Sequence, residues 1–284
     1  MDIDMILSFH PNIVADKNRL CAGRPPDSDD LAAICMAKAV ILPQGASETL
    51  YRMCRKHCPN VFPNYDVRYD FPGKLGQTRL FEGRGARFPR TYCFQTVSSY
   101  YNHLGKDADI SPLGFPCVFK FDRGGEGEGV FLLKEAAALR KALEKAKVGE
   151  KSGQKGFLLQ QYIPSGGRSL RVVVIGDQLY SYWRRRGDRS EFLANLKAGG
   201  AIDHESDPGL QQAGRAAVKD FCSKTGINLA GFDLIFSESE KMPEPYFLEI
   251  NYFFGRRGLG GSHAYYELLS SAISKWLERI GLSL

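Results

Sequence analysis

Four glycines fall within six residues at 124–129, in the run DRGGEGEG, and apolar runs flank it on both sides: CVFKF at 117–121 and VFLL at 130–133. That density of glycine removes side chains from a turn, so its backbone N–H groups can close on an anion. The flanks decide which anion-binding fold is open to the chain. A Walker loop ends in Gly-Lys-Ser/Thr and feeds a helix whose N-terminus holds phosphate, and a Rossmann turn feeds a helix as well. Here the loop returns directly into a strand, and its lysine, Lys120, precedes it. What remains is a β-hairpin lid over phosphates, with Gly124, Gly125 and Gly127 as its ligand-facing positions and the Lys120 ammonium on the strand leading in. Glu126 and Glu128 must then point outward. Taken alone, the segment also fits an ordinary hairpin with a loose tip.

A second constraint lies later in the chain. Asp233 stands inside the apolar run AGFDLIF (230–236), and Glu249 and Asn251 stand inside YFLEIN (246–251). A strand's period of two puts Glu249 and Asn251 on one face. The nine-residue polar loop between the runs predicts antiparallel neighbours, with Asp233 across from that face. Two carboxylates and an amide oxygen converging in an apolar setting repel unless a cation sits among them. Hard oxygen ligands are what Mg²⁺ selects. Arginines cluster nearby: Arg168 and Arg171, then Arg184, Arg185 and Arg186, then Arg256 and Arg257 in the glycine-rich GRRGLGG. Guanidinium forks suit phosphoryl and carboxylate oxygens. Alternation along a strand lets only some of the three consecutive arginines face a cleft. Arg256 and Arg257 fit substrate contacts better than core structure.

The rest of the chain reads as alternating elements. Met5 to Phe9 and Ala39 to Leu42 are short apolar strands, and 28–37 and 47–58 are capped helices, a small parallel α/β unit at 1–72. It has no Gly-x-Gly-x-x-Gly, so dinucleotide binding there is unsupported. A second unit, 73–156, carries the glycine-rich lid. A third, 157–284, carries the acidic cluster, with helices at 208–225 and 262–280. With 284 residues, 43% of them apolar, the chain can bury a sizeable core. A net charge of +6 fits a basic cleft, and the arginines gather around that cleft instead of along one helix, which disfavours nucleic acid. Seven cysteines without a regular spacing point to free thiols and a cytoplasmic setting. Cys54, His57 and Cys58 lack a further metal ligand and read as helix residues. The N-terminal MDIDMILSFHPN has no basic region, so no signal peptide is expected, and no run approaches a membrane span.

In this order the pieces resemble the ATP-grasp superfamily, and its RimK-type amino-acid ligases in particular, over about Lys74 to Gly255. The resemblance implies an α/β (α+β) ATP-grasp fold, in which a short N-terminal domain precedes two subdomains gripping ATP. It implies phosphate-binding roles for Lys74 and Lys120, and an adenine hinge in the strand LLQQYI, at Gln160, Gln161, Tyr162 and Ile163. The family's Arg-Arg pair and its Asn-Leu-x-x-Gly-Gly segment match Arg185, Arg186 and Asn195 to Gly200. Its metal ligands match Asp233, Glu249 and Asn251. Three positions depart from the family: Gln161 replaces the hinge acid, Ser169 the ribose-binding acid, and Tyr252-Phe253-Phe254-Gly255 a short Ser-Pro-Gly turn. The implied activity is ADP-forming ligation. A carboxylate would be activated as an acyl phosphate and joined to an amine (or thiol) of an amino acid or peptide, with ATP and Mg²⁺, or alternatively Mn²⁺, as cofactors. Arg185 or Arg186, with Asn195, would stabilise the transferring group, and Arg256 and Arg257 would hold the carboxylate substrate. An ATP-binding regulatory protein without chemistry and an ATP-grasp small-molecule kinase are the alternatives, and homo-oligomerisation stays open.

Overall fold

The computed structural model describes residues 4–21, 23–105, 110–124, 129–185 and 200–284. Strand and helix alternate through the N-terminal stretch: β1 (Ile6–Ser8), β2 (Lys17–Asn18), α1 (Ser28–Met36), β3 (Ala39–Ile41), α2 (Glu48–His57) and β4 (Asn60–Phe62). The four strands are parallel, in the order β2-β1-β3-β4. Strands this short persist because both faces are covered, which is why they read as unbroken apolar runs. Leu7, Val40 and Val61 pack beneath α1 and α2, while Ile6, Ala39, Ile41 and Phe62 pack on the far side against the last helix of the chain. Helix α1 begins with a reciprocal cap between Asp27 and Asp30. Arg19 and Arg24 close on the buried Asp30 carboxylate, and the Arg24 hydrogen bond foremost holds it well below the usual carboxylate range.

Next come α3 (Asp66–Asp70), α4 (Gly73–Gly83), β5 (Thr91–Phe94), α5 (Val97–Leu104), β6 (Cys117–Phe121), β7 (Val130–Leu133), α6 (Ala136–Lys151) and β8 (Phe157–Gln161). The strands form an antiparallel sheet in the order β5-β8-β6-β7. Phe94, Phe119 and Phe157 from the sheet meet Tyr100 of α5 and Leu139 and Leu143 of α6 in one core. Strand β8 is therefore hydrogen-bonded beside the glycine-rich hairpin, on the other side of the boundary the sequence suggested at 157.

The last sheet is built from β9 (Arg168–Ile175), β10 (Gln178–Arg185), β11 (Ala201–Asp203), β12 (Leu229–Ile235) and β13 (Tyr246–Asn251), in the antiparallel order β11-β10-β9-β12-β13. Helices α7 (Pro208–Thr225) and α8 (Gly261–Arg279) cover its two faces. Leu170, Val172, Trp183, Phe232, Leu234 and Ile250 face α7. Val173, Ile175, Tyr182 and Leu229 lie on the opposite face, against Tyr265, Leu269 and Ile273 of α8. The α8 face turns polar beyond that core, where Ser169, Arg171, Arg184 and Asp233 follow in the same phase.

A β-bulge sets the phase of β13. Asp233 pairs with Glu249, but its neighbour Leu234 pairs with Phe247, so Leu248 is an extra residue. Phe247 thereby enters the α7 core, while Glu249, two residues on, turns to the opposite face beside Asp233. No described helix is long and apolar enough to cross a membrane.

Candidate nucleotide and metal site

The site forms where helix α4 staples the two antiparallel sheets together. Pro72 lacks a side-chain cap for α4, and the carboxylate of Asp122, at the base of the glycine-rich hairpin, accepts the Leu75 N–H at 2.8 Å in its place. The Lys74 ammonium, nearly buried, donates to the Gly124 carbonyl at 2.9 Å and lies 3.9 Å from Glu249 Oε1. Three residues on, and so on the same helix face, the Gln77 side-chain amide brackets Ile250: its Nε2 donates to the Ile250 carbonyl at 2.8 Å and its Oε1 accepts the Ile250 N–H at 2.9 Å. Strand β13 is an edge strand, and Gln77 satisfies the backbone that edge would leave open, between Glu249 and Asn251. Nothing local in the sequence marks Gln77; only its spacing from Lys74 could have drawn attention to it.

Lys120 lies on β6 and donates to Gln160 Oε1 at 2.7 Å, while Gln160 Nε2 donates to Thr91 Oγ1 at 3.0 Å. Gln160 is buried and orients this lysine from the neighbouring strand. Burial, with Lys74 acting in the same direction, lowers the Lys120 ammonium to about 8, against the opposing pull of Glu249 and Asp233. A site that sets two ammonium groups near each other is suited to a polyanion that meets both charges.

On the other side of the cleft Asp233 and Glu249 face each other across β12 and β13, and Asn251 donates its side-chain N–H to Asp233 Oδ2 at 3.1 Å. The three expected metal residues are thus brought together. The expectation that their charge needs an added cation requires correction, because the protein supplies two. Arg171 forks onto Asp233, with Nε to Oδ1 at 2.5 Å and an NH2 contact to Oδ2 at 3.1 Å, and Arg184 reaches Oδ1 at 2.6 Å. Burial alone would push the Asp233 carboxyl up, but Arg171 and then Arg184 outweigh it and hold the group below its ordinary range. The two arginines reach the cleft because a two-residue turn at Gly176-Asp177 sets Arg171 opposite Tyr182 and Ser169 opposite Arg184. Gly231 makes room for this: a Cβ there would lie 2.9 Å from Arg171 NH1 and 3.1 Å from Phe254 Cβ.

Other sequence-derived residues lie elsewhere. Arg185 points to the opposite face, onto Asp203 at 2.5 Å and Ser206 at 2.8 Å, so strand alternation directs Arg184 to the cleft in its stead. Ser169 is buried and accepts from Arg184 NH2 at 3.1 Å. Gln161 is exposed and paired through its backbone to Arg90; Ile163 is buried and Tyr162 half-buried behind it. Arg256 stands apart from the Asp233 cluster, stacked on Tyr265 and Tyr266. Gly125, Gly127, Arg186 and Asn195 lie outside the described residues.

Nucleotide and metal fit these residues. Among the described side chains the Arg184 Nε is buried without a hydrogen-bond partner, a donor left open in a cleft of cations. Asp233, Glu249 and Asn251 provide the hard oxygen donors Mg²⁺ takes, and Lys74 and Lys120 the ammonium groups for phosphate.

Comparison with known proteins agrees with this geometry. The family model for the RimK-like ATP-grasp domain matches residues 93–262. A probable alpha-L-glutamate ligase 1 of Shewanella frigidimarina is 32% identical over 160 residues, covering 54% of this chain and 50% of that protein. A probable alpha-L-glutamate ligase of Marinomonas is 27% identical over 229 residues, 78% of this chain and 70% of that one. The chain thus spans about half the length of the first of these relatives. Among solved structures, a RimK domain ATP-grasp protein from Sphaerobacter thermophilus superposes with a TM-score of 0.62 at 15% identity, over 94% of this chain and 98% of that one. D-alanine–D-alanine ligase from Bacillus anthracis does so with a TM-score of 0.62 at 15% identity, over 92% and 84%. These structures establish the fold as ATP-grasp. With more than half of its residues inside the matched model, and with lysines and acidic strand residues meeting in one cleft, the chain belongs to the RimK-like ATP-grasp family.

Proposed function

We propose that the protein is an ADP-forming ligase that joins a carboxylate to an amine, with amino-acid or peptide substrates. The observation that carries this reading is the meeting of Lys74 and Lys120, from the hairpin side, with Asp233, Glu249 and Asn251 across one cleft. The names of the relatives, alpha-L-glutamate ligases, make L-glutamate the first substrate to try.

In this reading Lys74 and Lys120 bind the nucleotide phosphates, and Asp233, Glu249 and Asn251 hold Mg²⁺, which supplies charge neutralisation on phosphate oxygens when bound. Arg184, with its open Nε, and Arg171 flank the transferring phosphoryl group. A substrate carboxylate oxygen attacks the γ-phosphorus and ADP leaves. An amine nitrogen then attacks the acyl carbon, its proton is lost and inorganic phosphate departs. The protein contributes position and charge, and no enzyme nucleophile is needed. Gln160, buried beside Lys120, keeps water from the hairpin side of the cleft.

Incubation with ATP, Mg²⁺, L-glutamate and a panel of amino acids and peptides tests the reading. ADP release that requires both acid and amine, with the condensed product seen by mass spectrometry, is the expected result. A stable phosphorylated compound without condensation would make the protein a kinase. Nucleotide binding without turnover across the panel would make it a binding protein.

A further inference from the structure

Glu249 and Asn251 stand on a stretch of β13 that its own sheet holds poorly. The β-bulge at Leu248 breaks the ladder on one side of them, and the strand ends at Asn251 on the other. Between these breaks Glu249 pairs with Asp233, Ile250 with Phe232 and Asn251 with Gly231. In an antiparallel pair every second residue turns its N–H and C=O away from the partner strand. Ile250 is such a residue, at the open edge of the sheet, and both of its groups point outward. Side-chain anchoring is also slight among the described residues. Asp233 is forked by Arg171 and reached by Arg184, whereas Glu249 has a 3.9 Å ion pair with Lys74, and the Asn251 amide has a bond to Asp233 at 3.1 Å. The places of Glu249 and Asn251 are therefore set by their backbone.

Gln77 closes that edge from outside the sheet. Its amide meets the Ile250 carbonyl at 2.8 Å and the Ile250 N–H at 2.9 Å, as a neighbouring strand would. The helix it comes from is itself anchored to the other sheet. The Lys74 N–H donates to the Asp122 carbonyl at 3.2 Å, and the Leu75 N–H to the Asp122 carboxylate at 2.8 Å. Gly73, at φ +71°, lies so close to that carboxylate that a Cβ there would fall 2.4 Å from Oδ1. The first turn of α4 is thus keyed to the hairpin base by Asp122 and to the acidic strand by Gln77. The Lys74 ammonium reaches between the two, to Gly124 on one side and towards Glu249 on the other.

We propose that Gln77 is a positioning residue for the metal. It holds the Glu249-Ile250-Asn251 segment at a fixed distance from the Lys74 ammonium, so that one helical turn sets the metal donors against the phosphate-binding cation. The proposal rests on the reading of Glu249 and Asn251 as metal-holding groups. Such donors must be held within about 0.5 Å of their working geometry, and a strand segment between a bulge and a strand end does not secure that alone. Gln77 acts through the Ile250 backbone and touches no reacting group. The bracket also accounts for the residue type. Ile250 presents a donor and an acceptor, and an amide side chain answers both. A carboxylate would keep the acceptor, lose the donor and set its charge against the Ile250 carbonyl.

The test uses the full chain and two substitutions. Gln77→Met keeps the length and removes both bonds; Gln77→Glu keeps the acceptor alone. The first readout is hydrogen exchange of the Ile250 amide in the ligand-free protein, which needs no bound metal. Exchange at least about tenfold faster is expected in Gln77→Met. The second is calorimetric titration of AMP-PNP over a series of Mg²⁺ concentrations. The Mg²⁺ concentration that gives half of the metal-dependent gain in affinity should rise about tenfold in Gln77→Met and at least about threefold in Gln77→Glu. AMP-PNP affinity with Mg²⁺ chelated should stay within about twofold of wild type in both. The milder variant carries the test if Gln77→Met does not fold. Faster Ile250 exchange with an unmoved Mg²⁺ midpoint would make Gln77 a merely structural link and overturn the proposal. Unchanged Ile250 exchange in Gln77→Met would overturn it as well. A wild type whose AMP-PNP affinity ignores Mg²⁺ would instead bring down the metal reading itself, and this proposal with it.

Discussion

Asp233→Ala is expected to cost the fold about 3–5 kcal/mol, read as a fall in the urea midpoint at unchanged slope. The cause is what the substitution leaves behind. Arg171 and Arg184 have side chains only 8% and 16% exposed, and both close on the Asp233 carboxylate. Without it two buried guanidiniums have lost their counter-charge, and the cost of desolvating them is no longer offset. Asp233→Asn should do nearly as badly, because an amide restores shape but not charge. A loss under about 1 kcal/mol for both variants would show that the arginines find other partners and that this ion cluster is not what holds β9, β10 and β12 in register.

Glu249→Gln should behave in the opposite way, with a large effect on chemistry and a small one on the fold. Glu249 faces Asp233 across the strand pair, but it is 30% exposed and its one ion pair among the described residues, to Lys74, is 3.9 Å long. Its stability contribution is therefore within about 1 kcal/mol. As a metal-holding carboxylate it would supply charge at the moment of phosphoryl transfer, and its neutral isostere should lower kcat on the order of 10²–10³-fold. Steady-state ADP release at saturating ATP and Mg²⁺ checks this. Turnover within a factor of about two of wild type would remove Glu249 from the metal assignment. The two carboxylates look alike in sequence, each inside an apolar strand. Their surroundings differ: two nearly buried arginines close on Asp233, while Glu249 is partly exposed beside one distant lysine.

Much of this was legible beforehand, for reasons that also explain the gaps. Helix α7 was legible to its ends because a proline starts it and Gly226 closes it in the left-handed region. The β12–β13 pairing followed from two apolar runs and a short polar loop. The bulge at Leu248 could not follow, since it is an arrangement of backbone bonds and leaves no residue signature here. Strands β2, β4 and β11 have two or three residues each, too few to show a period. The choice of Arg184 over Arg185 was half legible. The Gly176-Asp177 turn fixes the phase of β10 against β9, but which face becomes the cleft depends on β9 pairing with β12, across more than fifty residues of intervening chain. Gln77 was missed because it acts on an element distant in sequence, and nothing local marks a glutamine that brackets a strand edge.

In the proposed ligase one Mg²⁺-nucleotide complex is held between the lysines of the hairpin side and the acidic strands. Calorimetric titration of AMP-PNP into the protein tests it most directly, with Mg²⁺ and with Mg²⁺ chelated, in wild type and Lys120→Met. One site per chain is expected, with affinity falling at least about tenfold on chelation and again in the variant. No saturable heat, or an affinity indifferent to both the metal and Lys120, would contradict it.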